Sequence, residues 1–332
     1  MNSISKSNAV MMTGVYRSGT EFALQLLQGH EEISCTMYYI NAFRYIENIK
    51  YNSENICEAI NKINKFTSLR YNINLPEKKI INNLNEYRPS GFFSRSDIYH
   101  AIMYTLYLAN SNCNTWIEKT QLNWTKTYEF LGNGKDRKVI LVYRDPRAVL
   151  ASFKNYTNAP SPAYLSSVFN SLSFFQTVLG LMSSEKIYQN IFLAKYEDIV
   201  KDPKKYRKNI FSFLDKEYIE IDKKLWKDYD GSKWTSNTTQ DTQLITENPL
   251  SLIDSWKQRL TDNEILFCQS ILGNYMKLFG YELSPLNSIN TNLINSLEKH
   301  QLTYQMYKDF LSKGIGCEMF PSDPFNSSTW EE

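Results

Sequence analysis

The stretch that most constrains the fold of this chain runs from Val10 to Leu27. It begins with a short apolar run, turns at Gly14 and at Ser18-Gly19-Thr20, and continues with the apolar spacing of a helix. A strand, a glycine-bearing loop and a helix in this order typically cradle an anion, because free backbone N–H groups and the positive end of the helix dipole converge there. Arg17 adds a positive charge and Ser18 and Thr20 add hydroxyl donors. The stretch therefore predicts a site for a phosphate-bearing group.

The rest of the chain alternates apolar runs with helical segments, which indicates an α/β fold with a doubly wound parallel sheet flanked by helices. The run at 138–143 is continuously apolar, as in a central parallel strand that is buried on both faces. Residues 41–110 read as a large helical insertion. Since no shift in composition marks a boundary, we predict one α/β domain over 1–286, with 287–332 as a C-terminal helix and tail packed on it. The predicted strands are 8–16, 33–39, 114–119, 138–143 and 191–194.

Composition excludes several classes of function. The chain has 332 residues, is 42% hydrophobic, and carries 37 basic against 35 acidic residues, so it lacks the electrostatic footprint of a nucleic-acid or membrane-surface protein. It begins with no signal-peptide pattern and contains no continuous apolar run of membrane-spanning length. Its five cysteines are scattered without a Cys-x-x-Cys pair, which favours reduced thiols in a cytoplasm over disulfides or a metal site.

The loop itself differs from two familiar phosphate-binding motifs. No Lys precedes Thr20, so the loop is not Gly-x-x-x-x-Gly-Lys-Ser/Thr, and it is not Gly-x-Gly-x-x-Gly either. Both differences disfavour an ATPase and a dehydrogenase. Taken alone, the loop is equally compatible with an ordinary connection between a strand and a helix.

A second candidate site follows the strand at 138–143. Arg144 ends that strand, and Ser152 lies eight residues later in the second turn of the next helix. Because ligands bind beyond the carboxyl ends of parallel strands, Arg144 is expected to face the same crevice as the opening loop, where guanidinium and hydroxyl could hold a second phosphate. The simpler alternative for Arg144-Asp145-Pro146-Arg147 is a capped helix start with a local salt bridge.

Together these segments resemble the sulfotransferases that use 3′-phosphoadenosine-5′-phosphosulfate (PAPS). Arg17-Ser18-Gly19-Thr20 is similar to the family's 5′-phosphosulfate loop, and Arg144 with Ser152 to its 3′-phosphate site. The resemblance spans about residues 10–282, in the family's order and spacing. Four further segments are similar to family motifs: Trp116-Ile117-Glu118-Lys119-Thr120, Lys195 to Pro203, Trp234 to Thr239, and Trp256-Lys257 through Phe279-Gly280-Tyr281.

The resemblance implies a P-loop-NTPase-like fold and transfer of a sulfuryl group, without a metal, from PAPS to a hydroxyl or amine. The product nucleotide would be 3′-phosphoadenosine-5′-phosphate (PAP), and the acceptor a small molecule or glycan. Arg17 and Lys119 would stabilise the sulfuryl group in transit. By the same resemblance, the nucleotide would contact Arg17, Ser18, Gly19, Thr20, Glu21, Phe22, Arg144, Ser152, Tyr196, Thr238 and Thr239.

The chain departs from the family pattern at three places. Glu21 replaces a Thr that binds the phosphate in many members, and its carboxylate would repel the donor unless it turns away. Gln121 stands where the cytosolic branch carries a catalytic His, which brings the chain nearer to the bacterial and carbohydrate-type branches. Asp254-Ser255-Trp256-Lys257 is a reduced form of a basic loop that contacts the 3′-phosphate.

Several residues are candidates for the base that would take the proton of the acceptor. We rank His100 and Asp97 first, because the helix that carries them could line an acceptor cleft. The alternatives are that His100 meets solvent and that Asp97 only caps the helix. Glu47 and Glu118 are the other carboxylate candidates.

Two rival functions remain compatible with these residues. Glu21, Gln121 and the missing base favour a catalytically inactive protein that binds a nucleotide or a partner on the same scaffold. A small-molecule kinase is the third possibility, and it would prefer ATP with magnesium over PAPS.

Overall fold

The computed structural model describes residues 3–37, 43, 46–120, 122–132, 134, 136–157, 162–220, 249–285 and 291–318. Its centre is a five-stranded sheet made of β1 (Asn8–Gly14), β2 (Ile33–Met37), β3 (Thr115–Lys119), β4 (Arg137–Tyr143) and β5 (Ile191–Lys195). The α-helices are α1 (Thr20–Gln25), α2 (Ile56–Tyr71), α3 (Glu77–Tyr87), α4 (Arg95–Tyr107), α5 (Thr127–Leu131), α6 (Pro146–Thr157), α7 (Ser166–Met182), α8 (Glu185–Tyr188), α9 (Tyr196–Lys201), α10 (Pro203–Phe213), α11 (Trp256–Arg259), α12 (Asp262–Leu278), α13 (Thr291–Ser296) and α14 (Gln301–Lys313).

All neighbouring strands are parallel, in the order β2-β3-β1-β4-β5. The chain builds β2 and β3 on one side of β1 and then β4 and β5 on the other, so the winding reverses beside β1. The carboxyl ends of β1, β3 and β4 are therefore adjacent, and a crevice for a ligand forms at such a reversal. This arrangement confirms the predicted doubly wound α/β fold.

The strand β1 is buried on both faces, which explains its uninterrupted apolar sequence. Val10 and Met12 belong to the smaller hydrophobic cluster, together with Leu24 of α1. Ala9 and Met11 belong to the larger cluster, which lies under the helices of the insertion and α7. The two faces follow from the alternation of side chains along a strand.

The segment between β2 and β3 is mainly helical, as predicted, and contributes α2, α3 and α4. The helix α4 packs on the sheet through Tyr99, whose ring meets that of Trp116 at 5.0 Å between centroids. His100 is completely buried and Tyr104 is 4% exposed, so the face of α4 that could have met solvent is in the core instead.

The helix α7 and the 3-10 turn before it form the most apolar helical segment of the described chain. Pro162–Met182 is long and apolar enough to cross a membrane, with a mean hydropathy of 1.3. However, 72% of its most apolar 18-residue stretch is buried inside the protein, as in the central helix of a core. Phe169 of α7 packs against Phe267 of α12 and Phe310 of α14, which joins the C-terminal helices to the larger cluster.

A short strap at residues 314–318 follows α14 and crosses α7. The Cys317 N–H donates to the carbonyl of Phe169 at 3.1 Å, and the Gly316 N–H donates to the Gln176 side chain at 3.0 Å. The carboxylate of Glu318 then accepts hydrogen bonds from Thr125 and Lys126, which lie in the turn after β3. The strap thus fastens the end of the described chain to the segment that follows Lys119.

Candidate active site

The loop after β1 depends on two glycines, because any larger residue at either position would collide with its neighbours. A Cβ on Gly14 would collide with the carbonyl oxygen of Val142 in β4 and lie 2.7 Å from the Ser18 hydroxyl oxygen. Gly19 has φ +92°, and a Cβ there would run into the ring of Tyr196. These two positions explain why the loop needs glycine on both sides of Arg17.

Arg17 and Arg144 link the loop to the next strand. The Arg17 Nε donates to the Ser152 hydroxyl at 3.1 Å, and the Arg144 guanidinium donates to the carbonyl of Arg17 at 3.2 Å. A second Arg144 bond reaches the carbonyl of Leu252 at 3.1 Å. The two anion sites that the sequence predicts separately are therefore in direct contact.

Tyr196, the first residue of α9, completes this group. The Arg144 guanidinium carbon lies 4.4 Å from the centre of its ring, and the edge of the Phe22 ring faces it at 6.5 Å between centroids. Burial raises the pKa of Tyr196, although the Arg144 charge opposes this shift. The ring therefore stays neutral and presents an aromatic surface beside the loop.

Two polar atoms in this group have no partner among the described residues. The hydroxyl oxygen of Ser18 is buried without a hydrogen bond, and so is the Nε of Arg144. A buried polar group without a partner costs roughly 1–3 kcal/mol, so such atoms commonly mark a place where a ligand or water completes the bonding. A donor hydroxyl and a guanidinium nitrogen are suited to the oxygens of phosphate groups.

Lys119, the last residue of β3, brings a further cation to this end of the sheet. Its ammonium group is 3.2 Å from the carboxylate of Glu21 in the first turn of α1. Its side chain is only 4% exposed, and burial lowers its pKa while Glu21 opposes that shift. Glu21, which the family pattern makes anomalous, is therefore the counterion of the lysine predicted to contact the sulfuryl group.

The helix after the loop is short, and it ends before Leu27, where the helical spacing of the sequence ends. Thr20, which is 9% exposed, begins α1, and the helix ends at Gln25 after only six residues. A dipole built from so few peptide units adds little to the attraction of an anion. The positive charge of the site therefore resides mainly in side chains.

His100 and Asp97 are not at this site, which corrects their ranking as candidate bases. His100 Nδ1 accepts from the Trp116 indole at 2.9 Å, and Nε2 faces the Ser7 hydroxyl at 3.2 Å, near the amino ends of the strands. Asp97 accepts from Arg137, the first residue of β4, at 2.6 Å.

Each of these two side chains has a structural role instead. The Asp97 carboxylate also completes a capping box with Ser94, so capping is the correct interpretation of its position in α4. Trp116 lies three residues before Lys119, which is about 10 Å along the strand. An odd separation also places the two side chains on opposite faces of the sheet.

The other two carboxylate candidates have partners on other elements, α4 and α2. Glu118 is fully buried and accepts a hydrogen bond from Tyr99, on the face of β3 opposite to Lys119. Glu47 is two-thirds exposed and pairs with Lys62 of α2 at 3.4 Å.

Several predicted residues lie outside the described part of the chain. These are Thr238 and Thr239, the rest of the motif from Trp234, and Gln121. Their assignments stay predictions.

The segment Arg144-Asp145-Pro146-Arg147 also behaves as a capped helix start. Asp145 accepts from the Arg147 backbone at 2.9 Å, and its second oxygen accepts from the Arg147 guanidinium at 2.7 Å. The structure therefore bears out the capped helix start, formed by Asp145 and Arg147, and it places Arg144 beside the loop. The assignment of Arg144 and Ser152 to a second phosphate stays a prediction.

Sequence reasoning missed the contacts that arrive from distant segments. The carbonyl of Leu252 on Arg144 and the pairing of Glu21 with Lys119 join positions about a hundred residues apart. The opposite charges of Glu21 and Lys119 are visible in the sequence, but their pairing depends on the β1–β3 register, in which Met12 lies opposite Lys119. No sequence signal singles out a leucine carbonyl.

Comparisons with known proteins agree with this architecture. A family model described as "Sulfotransferase domain" matches residues 7–280, and the chain belongs to that family. No curated protein matches the sequence significantly.

Solved structures resemble this one at low sequence identity. The sulfotransferase domain of the curacin biosynthetic pathway is 17% identical with a TM-score of 0.50, covering 84% of this chain and 99% of its own. The sulfotransferase domain of the Synechococcus olefin synthase is 17% identical with a TM-score of 0.47, covering 84% and 97%. A mouse sulfotransferase complexed with PAP is 15% identical with a TM-score of 0.42, covering 81% and 85%.

Proposed function

We propose that this sulfotransferase-family chain takes PAPS as its donor and transfers the sulfuryl group to a hydroxyl or amine of a small-molecule or glycan acceptor. The observation that carries the proposal is the joining of two cationic sites by Arg17, Ser152 and Arg144 in one crevice. PAPS has an anionic group at each end of its ribose, and thus needs two such sites. The unpartnered Ser18 hydroxyl and Arg144 Nε offer donors to them.

The described residues divide between binding and charge stabilisation. Ser18, Gly19 and Thr20 would hold the 5′-phosphate, with Arg144 and Ser152 on the 3′-phosphate. Phe22 and Tyr196 form an aromatic corner suited to the adenine. Thr238 and Thr239 are proposed neighbours of the nucleotide on the family resemblance alone.

Bound PAPS would supply an activated sulfuryl group, and the protein's part is to orient it and to stabilise negative charge. Arg17 lies in the loop and Lys119 pairs with Glu21 directly after it, and preorganised charges in a water-poor site contribute strongly to such transfers. The burial of Lys119 places its ammonium group in such surroundings.

Calorimetric titration with PAP tests the donor assignment directly. We expect saturable binding of one PAP per chain, and binding weaker than that of ATP with magnesium would contradict the proposal in favour of a kinase. Transfer of radiolabelled sulfate from PAPS to a panel of sugars, phenols and amines then tests turnover.

A non-catalytic nucleotide-binding protein is the second candidate. It is favoured by the positions of His100 and Asp97, which remove both first-ranked bases from the crevice. Tight PAP binding without sulfate transfer to any acceptor would support it.

We also propose a cytoplasmic location, since none of the five cysteines, all of them in the described chain, forms a disulfide.

A further inference from the structure

The pair formed by Glu21 and Lys119 places a negative charge inside a site that is otherwise built for anions. The two charged groups are 3.2 Å apart, with the lysine side chain 4% exposed and the glutamate side chain 33% exposed. A buried ammonium group requires a counterion, and Glu21 opposes the effect of burial on the pKa of Lys119. Glu21 therefore helps to keep Lys119 charged before any ligand arrives.

Lys119 can hold Glu21 and a second anion at the same time. An ammonium group has three donors, so it can contact more than one acceptor at a time. Under the proposed function, on which this inference rests, the second anion is the sulfuryl group of the donor. Two hydrogen bonds of ~3 Å that share one nitrogen bring their acceptors within about 6 Å of each other.

We propose that Glu21 is a specificity-determining residue that makes the site select a terminal sulfuryl group over a terminal phosphoryl group. A sulfate ester carries one negative charge, whereas a terminal phosphate carries about 1.5 to 2 at neutral pH. Glu21 repels both, but it repels the phosphate more because of the additional charge. Glu21, which replaces a Thr of the family pattern, thus weakens binding of the donor but increases the preference for a sulfuryl over a phosphoryl group.

Coulomb's law sets the size of the effect. The additional half to one charge at about 6 Å, in surroundings between protein and water, changes a binding constant by up to roughly tenfold. The Glu21 side chain is one-third exposed, so solvent screening keeps the effect near this value and below that of a dry interior.

The test compares two nucleotides that differ only in the terminal group. Calorimetry measures the dissociation constants of PAPS and of its analogue with phosphate in place of sulfate, 3′-phosphoadenosine-5′-diphosphate. The variants are Glu21→Gln, which removes the charge at nearly constant size, and Glu21→Asp, which retains it. Glu58→Gln is the matched control, because Glu58 is an exposed glutamate in the first turn of α2.

The expected result is that Glu21→Gln lowers the preference for PAPS over the analogue about tenfold, mainly by improving binding of the analogue. Glu21→Asp and Glu58→Gln should retain most of the wild-type preference. If Glu21→Gln does not unfold cooperatively, Glu21→Thr, which restores the hydroxyl of the family pattern, takes its place.

Two different failures are distinguishable in this design. If the wild-type protein binds both nucleotides and the preference is the same in the charge-removing variant, this inference is wrong and the donor assignment stands. If the wild-type protein binds neither nucleotide, the proposed function is wrong and the inference is wrong with it.

Discussion

At the scale of single residues, Tyr196 packs against three residues of the candidate donor site, namely Gly19, Phe22 and Arg144. Its ring fills the space that a side chain at position 19 would need, and it also lies under the Arg144 guanidinium. Cation–π contacts of this kind contribute about 0.5–2 kcal/mol. Because Arg144 in turn binds the carbonyl of Arg17, the shape of the loop depends on Arg144, directly after β4, and on Tyr196, at the start of α9.

Substitution of Arg144 should weaken binding of PAP. Arg144→Ala removes the unpartnered Nε and the guanidinium charge, and we expect a loss of about 1.5–3 kcal/mol of binding free energy, the range for a charged hydrogen bond. Calorimetry with PAP measures the loss. Arg88→Ala is the control, since it removes a guanidinium from the network around Asp97 near the other end of the sheet. Equal PAP affinity in the wild type and Arg144→Ala would exclude Arg144 from the 3′-phosphate site.

At the level of elements, α4 connects the helical insertion to the sheet through a buried polar network. Burial alone would raise the pKa of Asp97, but hydrogen bonds and charges from Arg88, Arg137 and Ser94 outweigh it and lower the pKa. His100 has its two ring nitrogens committed to Trp116 and to Ser7, with Asp136 at 3.9 Å. These interactions join α4 to the starts of β1, β3 and β4.

The stability of this network should depend on pH through His100. Burial lowers the pKa of His100 from 6.5 to about 4, and the nitrogen that accepts from Trp116 would have to lose that bond on protonation. The unfolded chain therefore binds a proton below pH 6.5 that the folded chain excludes until about pH 4. Folding stability from this group is complete above pH 6.5 and falls progressively by roughly 2–3 kcal/mol as the pH drops to 4.

Urea unfolding between pH 7.5 and 4.5 measures this loss. The comparison is with His100→Gln, which should be less stable at neutral pH and should lose less stability on acidification. Parallel stability curves for the two proteins would show that His100 does not titrate as its surroundings indicate.

Across the whole molecule, the C-terminal strap connects the last helix to the segment that follows Lys119. A Cβ on Gly316 would collide with the backbone of Phe169 and Ser173 in α7, so the strap lies directly on that helix. Glu318 then reaches Thr125 and Lys126. The strap thus joins the last described residues both to α7 and to the turn after β3.

Gly316→Ala should destabilise the protein by about 1–3 kcal/mol, because the added methyl group must push the strap away from α7. Gly180→Ala is the matched control, since Gly180 lies in α7 with open space where its Cβ would be. That substitution should stabilise the helix by about 0.5–1 kcal/mol. Thermal or urea unfolding measures both changes, and equal stability of Gly316→Ala and the wild type would show that the strap is not packed as described.

The fold and the position of the loop after β1 could be predicted from the sequence because their signals are local. The strand–loop–helix stretch, the apolar run of β4 and the spacing of Arg144 to Ser152 each lie within some twenty residues, where periodicity and turn chemistry act directly. Asp145, as the cap, and Pro146, as the first helical residue, likewise predict the start of α6. The sequence by itself therefore determined the parallel sheet, the place of the loop and the family.

The environments of the ionisable side chains were decided only by the tertiary structure. His100 and Asp97 lie in a helix whose docking against β3 and β4 buries them near the amino ends of the strands, and helical spacing alone does not reveal that docking. Glu21 gains its partner only because β3 lies next to β1, with Lys119 at its carboxyl end. A pKa, a counterion and a catalytic distance all depend on contacts between segments remote in the chain, so they follow from packing and not from local sequence.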